Sequence, residues 1–416
     1  MIKTLFSKII EFKGIIYRDF ALMEFIHRLL KKRLERTLRR GKSVLILGPR
    51  QTGKTTLIKQ YKADLEITLL ISKVRRQYEA DPDKLIREVK TLNQTNHRIP
   101  LVIIDEIQKV PVLMDGIQYL IDERLGQFIL TGSSARKLRH NKNINLLPGR
   151  LIPLHLDPFS LQEIKIIPPI ENFLLYGSLP AIFLETNLSI KDEELDSYVD
   201  LYLEDEVRAE ALVRDIGAFE NFLKLASIES GNLINFDKIS QDIGVARTTI
   251  VAYYQILEDC LIAERIEPYI KSKTRKKLIK SPKYLFFDLG LRRFAAEEQT
   301  SLPQKYLGNL FEQFIGLELI RWARLQDSKI NVHFWKDPSG PEVDWVLSHG
   351  DKLLPIEVKW TNTPSFRDAK HLELFLNEYP KANKGYVICQ TSNNQLLSKK
   401  IEAISWKDLI KKINDW

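Results

Sequence analysis

Two glycines, a lysine and a pair of adjacent carboxylates define the first chemistry this chain can do. The segment Gly48-Pro49-Arg50-Gln51-Thr52-Gly53-Lys54-Thr55-Thr56 contains a complete G-x-x-x-x-G-K-[ST] spacing. Glycines at 48 and 53 let the backbone turn tightly and aim successive N–H groups at one point, which cradles phosphate oxygens. In that arrangement Lys54 reaches the β- and γ-phosphates and the Thr55 hydroxyl holds Mg2+. Residues 100–107 form an apolar run that ends in Asp105-Glu106. Asp105 is placed to bind the water shell of Mg2+, and Glu106 to orient or deprotonate an attacking water. Residues 127–130 lead into Thr131-Gly132-Ser133-Ser134, which either touches the γ-phosphate or simply turns the chain. Arg150, after a loop containing Pro148, is either a surface arginine or an arginine finger acting in cis or from a neighbouring subunit. The implied ligands are ATP and Mg2+.

A second set of chemistry-bearing residues lies near the C-terminus. Asp344 sits in an apolar run at 342–347, and Glu357 and Lys359 in another at 354–359. The two runs read as a hairpin, and the strand period of two puts Glu357 and Lys359 on one face. Asp344 and Glu357 would coordinate a metal, helped by the carbonyl of Ile356 or Val358. Lys359 would position or deprotonate water, and Glu312, on a preceding amphipathic helix, would reach a metal-bound water. The competing reading is a solvated hairpin with alternating charge.

These residues need elements to hold them. The run at 43–47 reads as a strand before the glycine turn, with the apolar face of a helix after it; 100–107 reads as a parallel strand buried on both faces. Residues 28–42 read as a basic helix with Phe25, Leu29, Leu30 and Leu34 as its buried stripe and its cations in solvent. From about 155 to 230 a helical pattern punctuated by prolines suggests a lid. Residues 236–245 and 246–259 then read as two short helices around Gly244, followed by strands at 261–267 and 284–287. Helix-turn-helix plus hairpin is a winged helix, with the acid-free run 270–283 on the wing. Arg247 and Thr248 open the recognition helix, and Arg275, Lys276 and Lys277 are the expected phosphate contacts for DNA. A packing or dimerisation module is the alternative.

The chain has 416 residues, enough for two to four domains. A formal charge of +9 permits contact with a polyanion. No apolar stretch has the length of a membrane span, and charges within the first twenty residues interrupt any signal-peptide core. Two distant cysteines, Cys260 and Cys389, suggest buried thiols in a reducing, cytoplasmic setting.

The first group of segments resembles the AAA-type ATPases, where the P-loop follows the first strand, an Asp-Glu pair ends the third and a polar sensor ends the fourth. The resemblance implies Lys54 and Thr55 as phosphate and metal contacts, Asp105 and Glu106 as metal contact and water activator, and Thr131 or Ser133 as sensor. The D-x12-E-x-K spacing over residues 302–416, after a helical glutamate, resembles the PD-(D/E)xK nucleases, although Pro341 does not directly precede Asp344. The whole order of segments, including Phe-Phe-Asp-Leu-Gly-Leu and Ile-Glu-Val-Lys, looks like AAA-type ATPases with a C-terminal DUF4143 domain.

The expected fold is therefore α/β: an AAA-type parallel sheet with N-terminal helices (1–158), a helical lid (159–230), a winged helix (231–300) and a PD-(D/E)xK-like α/β domain (301–416). Two functions fit. One is a Mg2+-dependent ATPase controlling a DNA-binding, nuclease-like tail. The other is a nucleotide-operated switch that binds a protein partner or assembles with itself, its tail a non-catalytic scaffold.

Overall fold

Strand β1 (Ser43–Leu47) is buried along its whole length, because helices cover both faces of its sheet. The structure, a computed structural model, describes residues 26–134, 149–203, 215–270, 281–300 and 304–416. Helix α1 (Leu30–Arg39) precedes β1 and α2 (Lys54–Ile58) follows the glycine turn. Then come β2 (Leu65–Thr68), α3 (Ser72–Ala80), α4 (Asp83–Asn96), β3 (Leu101–Asp105), α5 (Leu113–Asp122), β4 (Gln127–Gly132) and β5 (Leu151–His155). All five strands are parallel, in the order β2-β3-β4-β1-β5. Val44 and Ile46 pack with Leu30, Leu34 and Leu57, while Leu45 and Leu47 pack with Val89, Met114 and Ile117 on the opposite face. Each such aliphatic side chain contributes about 1.5–3 kcal/mol by leaving water. The C-terminal ends of β1, β3 and β4 thereby emerge side by side, at the edge where open parallel sheets bind ligands.

The middle of the chain is helical: α6 (Ile170–Tyr176), α7 (Pro180–Leu184), α8 (Leu188–Ser197) running into a π-helical turn, and α9 (Ile216–Ile228). The stretch from 159 to 230 serves two cores. Phe159 to Leu174, with Phe183 and Leu184, pack with the C-terminal domain, whereas Tyr176, Leu179, Ile182, Leu195 and Tyr198 pack with 219–295. Helix α10 (Phe236–Ile243) starts on an Asn235 cap and stops at Gly244, whose φ is 78°. Helix α11 (Arg247–Asp259) follows, then the antiparallel pair β6 (Ala263–Ile266) and β7 (Lys283–Phe286). β6 is shorter than the expected 261–267 because Leu261 adopts a left-handed φ of 60°, incompatible with extended pairing. Arg275, Lys276 and Lys277 lie outside the described residues, as does Phe25.

Helix α12 (Leu289–Ala295) explains the Phe-Phe-Asp-Leu-Gly-Leu segment. The buried Asp288 carboxylate accepts from the amides of Ser178, Gly290 and Leu291. A Cβ on Gly177 would lie 1.8 Å from that carboxylate, and one on Gly290 would lie 2.4 Å from the Tyr176 carbonyl. Both positions need glycine for α6 and α12 to meet.

Helix α13 (Gln304–Leu325) opens the C-terminal domain, followed by β8 (Asn331–Lys336), β9 (Glu342–His349), β10 (Lys352–Val358), α14 (Lys370–Glu378), β11 (Gly385–Cys389), β12 (Gln395–Leu396), β13 (Ile401–Ser405) and α15 (Leu409–Asn414). The sheet runs β12-β13-β11-β10-β9-β8; β8, β9 and β10 form an antiparallel meander, and β10, β11 and β13 are parallel. Helix α13 covers one face and α14 the other. Cys260 and Cys389 are both buried, on different parts of the fold. No helix among the described residues is long and apolar enough to cross a membrane.

Candidate functional site

The glycine turn at 48–53 is held by close backbone contact. A Cβ on Gly48 would lie 2.2 Å from the Leu156 carbonyl oxygen, so this position admits only glycine. Gln51 and Gly53 take positive φ values of 60° and 90°, which folds the loop back over β1 before α2 begins at Lys54. The Thr52 hydroxyl donates to the Pro49 carbonyl at 2.9 Å. Lys54 is buried, and its Nζ donates to the Gly48 and Pro49 carbonyls at 2.8 and 2.7 Å. The ammonium thus lies along the loop whose amides would face phosphate oxygens.

Three strand ends converge beside it. The Thr55 hydroxyl donates to Asp105 Oδ2 at 2.9 Å, and the Thr131 hydroxyl donates to Asp105 Oδ1. Glu106, at a left-handed φ of 62°, donates its amide to Thr131 Oγ1 at 3.0 Å. Its carboxylate accepts from Ser133 Oγ at 3.1 Å and from Gln108 Nε2. Asp105 and Glu106 consequently point in different directions with separate partners. Thr55 and Asp105 offer hard oxygen ligands suited to Mg2+. Gln108 is a residue that sequence reasoning passed over; its place two residues after Glu106 was the available signal.

A cleft of about 760 Å3 opens from this loop. Residues 50–57 and Glu106 line one end, and Ile26, Phe159, Pro180, Ala181 and Leu184 make the other end apolar. Phosphate would take the first end and a planar base the second. Arg28 joins them. Its Nη1 donates to the Thr52 carbonyl at 2.5 Å, its Nε to Glu163 at 3.0 Å and its Nη2 to the Asp157 carbonyl at 2.5 Å, with the guanidinium 5.2 Å from the Phe159 ring. The basic run 28–42 was expected to be solvated; Lys32, Arg36 and Arg39 are exposed, but Arg28 is buried. Glu163 and Asp157, two of its partners, lie more than 100 residues away in sequence, which explains why no local pattern marked it.

Arg150 is placed elsewhere. It precedes β5, whose first residue Leu151 pairs with Ser43 at the start of β1, and it is half-buried with its Nε 2.6 Å from Asp122. The loop is at the other end of β1, roughly 15 Å away at about 3.3 Å per residue. A cis arginine finger is therefore excluded for Arg150 by the parallel register. On the helix-turn-helix face, Thr248 is exposed and Arg247 is engaged by Asp237 at 3.2 Å and by the Phe236 ring at 5.5 Å.

In the C-terminal domain the structure brings Asp344, Glu357, Lys359 and Glu312 together. Trp345 pairs with Ile356, so Asp344 lies across from Glu357, and the Val358 amide donates to Asp344 Oδ2 at 2.7 Å. Lys359 Nζ donates to Glu357 Oε1 at 2.7 Å, while buried Glu357 Oε2 has no partner among the described residues. Burial, then the charges of Glu357 and Glu312, push the Asp344 carboxyl well above its usual range. Burial likewise pushes Glu357 up to about 7, although Lys359 pulls it down. An orphaned carboxylate oxygen beside a second carboxylate fits a hard divalent cation.

Glu312 is not free to serve a metal-bound water as expected. Lys283 Nζ donates to its Oε1 at 2.9 Å. Lys283 closes the acid-free run expected on the wing, yet it is 8% exposed.

Helix α13 ties these sites together. Arg324 bridges Asp157 at 2.6 Å and Glu264 at 2.7 Å. Arg321 donates to Glu318, Ser178 Oγ and the carbonyls of Phe159 and Phe287. His155, Asp157 and Glu264 cluster at metal-ligand spacing, but the Arg324 guanidinium already bridges the two carboxylates there.

Comparison with known proteins adds the family context. An AAA domain model matches residues 40–165, a domain of unknown function (DUF8612) matches 168–302, and a domain of unknown function (DUF4143) matches 307–409. The second model spans the stretch that sequence reading divided at 230. An uncharacterized protein of Mycobacterium tuberculosis is 25% identical over 339 residues, covering 80% of this chain and 74% of that protein. An uncharacterized protein of Methanocaldococcus jannaschii is 23% identical over 421 residues, covering 88% of this chain and 84% of its own length. A Vibrio cholerae crystal structure aligns with 90% of this chain and 97% of its own at 12% identity; its TM-score of 0.21 supports no fold argument. The chain thus carries an AAA domain, with the nucleotide binding and hydrolysis that such a domain implies, followed by DUF8612 and DUF4143 domains.

Proposed function

We propose that the chain is a Mg2+-dependent ATPase whose nucleotide state is passed to a DNA-acting, nuclease-like C-terminal centre. The observation that carries the ATPase reading is the convergence of Thr55, Asp105 and Thr131, with Glu106 held separately by Ser133 and Gln108, beside a cleft that Thr55 and Glu106 line. The backbone N–H groups of Gly48, Arg50, Gln51, Thr52, Gly53, Lys54, Thr55 and Thr56 form the phosphate cradle, and Pro49, which has no N–H, shapes the loop that aims them. Lys54 leaves the Gly48 and Pro49 carbonyls for the β- and γ-phosphates. Thr55 and Asp105 would hold Mg2+, which supplies charge neutralisation at the phosphates. Glu106 takes the proton of the attacking water, and Ser133 and Gln108 hold its carboxylate in position. Thr131 orients Asp105, so of the two sensor candidates Ser133 is nearer the reacting water.

Coupling is supported by direct contacts. The Tyr198 hydroxyl donates to the Arg50 carbonyl at 3.3 Å, and Arg28 links the Thr52 carbonyl to Glu163 and Asp157. Asp157 in turn pairs with Arg324 on α13, the helix that carries Glu312. At the far end, Asp344 and Glu357 would hold a divalent cation for phosphodiester cleavage, and Lys359 would position water. DNA would approach along Arg247, Thr248, Arg275, Lys276 and Lys277.

A rival reading is a nucleotide-operated switch with a non-catalytic tail that binds a protein partner. The Lys283 ammonium inside the acidic centre and the Arg247–Asp237 pair favour it. The decisive variants are Lys54→Ala, expected to lose ATP binding, and Glu106→Gln, expected to bind ATP but release phosphate at least ~100-fold more slowly. Unchanged turnover by Lys54→Ala refutes the ATPase assignment. Mn2+-dependent DNA cleavage that disappears in Glu357→Ala separates the nuclease from the switch; no DNA binding at low salt favours the switch.

A further inference from the structure

Lys283 belongs to β7 in the middle of the chain, but its side chain ends in the acidic centre of the C-terminal domain. It is 8% exposed, its Nζ is 2.9 Å from Glu312 Oε1, and it lies 5.2 Å from the Phe334 ring and 6.0 Å from the Trp345 ring. An ammonium is taken out of water only where opposite charge and ring faces compensate it. With every group ionised, four carboxylates, Asp344, Glu357, Glu312 and Glu342, would face three ammoniums, Lys283, Lys359 and Lys336, an excess of one negative charge that a proton or a cation must offset. Glu357 Oε2, on a residue 2% exposed, has no partner among the described residues. A centre with these acids and no lysine at 283 would have the charge and the ligands for an additional divalent ion.

We propose that Lys283 is a resident cation of this centre. It occupies the position of one divalent ion, withdraws Glu312 from metal coordination, and leaves at most one ion to the Asp344–Glu357 pair. The inference rests on the reading of the centre as a metal site. Because the lysine comes from β7, the cation count of the C-terminal centre is set by the seating of the β6–β7 hairpin. A two-metal displacement is thereby excluded while that hairpin is docked.

The test is Mn2+ binding to the full chain without nucleotide, by equilibrium dialysis and by the free-ion electron paramagnetic resonance signal. Lys283→Met is expected to bind one more Mn2+ per chain than wild type. Lys283→Gln keeps a donor for Glu312 without the charge; it guards against misfolding and is expected to show the same gain. Adding Glu312→Gln to either variant is expected to abolish the gain. If both single variants bind the same number of ions as wild type, with affinities within about two-fold, Lys283 holds no metal position and the proposal is overturned. Wild-type binding that vanishes in Asp344→Asn measures the underlying metal reading separately, so the two ideas fail by different results.

Discussion

Replacing Arg28 by methionine tests whether this buried guanidinium shapes the nucleotide site. The substitution keeps an apolar stem against Phe159 and removes the donors to the Thr52 carbonyl, Glu163 and the Asp157 carbonyl. Glu163 retains the amides of Leu29 and Ser160 but loses its charge partner, so a stability loss is expected beside the effect on ATP and is read separately by the unfolding control. The loss that reaches ATP is the one at Thr52, where an outside donor holds the carbonyl away from the phosphate cradle. A hydrogen bond from a charged donor is worth about 1.5–3 kcal/mol, which corresponds to roughly 10- to 100-fold weaker ATP binding. The assay is titration with a fluorescent ATP analogue alongside phosphate release at saturating ATP, with thermal unfolding as a control. Weaker binding with kcat reduced less than KM is raised marks Arg28 as a positioning residue, and Arg28→Lys should recover only part because its donors share one nitrogen and cannot span acceptors reached here from Nε, Nη1 and Nη2. Affinity within two-fold of wild type, whatever the change in Tm, refutes the reasoning.

Other consequences are equally direct. Gly48→Ala drives a Cβ into the Leu156 carbonyl and should abolish ATP binding in a protein that still folds, read by the same titration and by circular dichroism. Arg321→Met leaves Glu318, itself 1% exposed, without its charge partner, and should cost about 3–5 kcal/mol in urea unfolding. Adding Glu318→Leu removes the stranded carboxylate and should restore most of that loss. In the metal-free protein, Glu357 binds its proton more tightly folded than unfolded, because its carboxyl is pushed up to about 7 from an ordinary 4.5. The folded state therefore holds more protons between those values, and stability should fall as pH rises through that window. Glu357→Gln should flatten the fall, as measured by urea midpoints in chelator from pH 4.5 to 8.

The parallel sheet was legible because its strands are unbroken apolar runs ending in polar groups, and such runs need cover on both faces. The hairpin acids were legible in part: period two puts Glu357 and Lys359 on one surface, while the place of Asp344 across from Glu357 depends on the register between the two strands. The basic runs were misjudged at their ends. Arg28 and Lys283 each terminate a cationic stretch, and nothing local distinguishes them from the exposed lysines and arginines beside them. Arg150 was assigned by its place after a loop, but the loop leads to the start of β5 and not to its end.

What the amino-acid order determined alone is whatever depends on neighbouring residues: glycines where the backbone must turn, a lysine and threonine after them, acids at strand ends, and alternation along a strand. What only the tertiary structure decided is which charges are buried, and against what. Arg28 meets Glu163 across 135 positions and Lys283 meets Glu312 across 29, through elements that belong to different parts of the molecule. A cation leaves water only where opposite charges or carbonyls converge on it, and that convergence is a property of packing between elements.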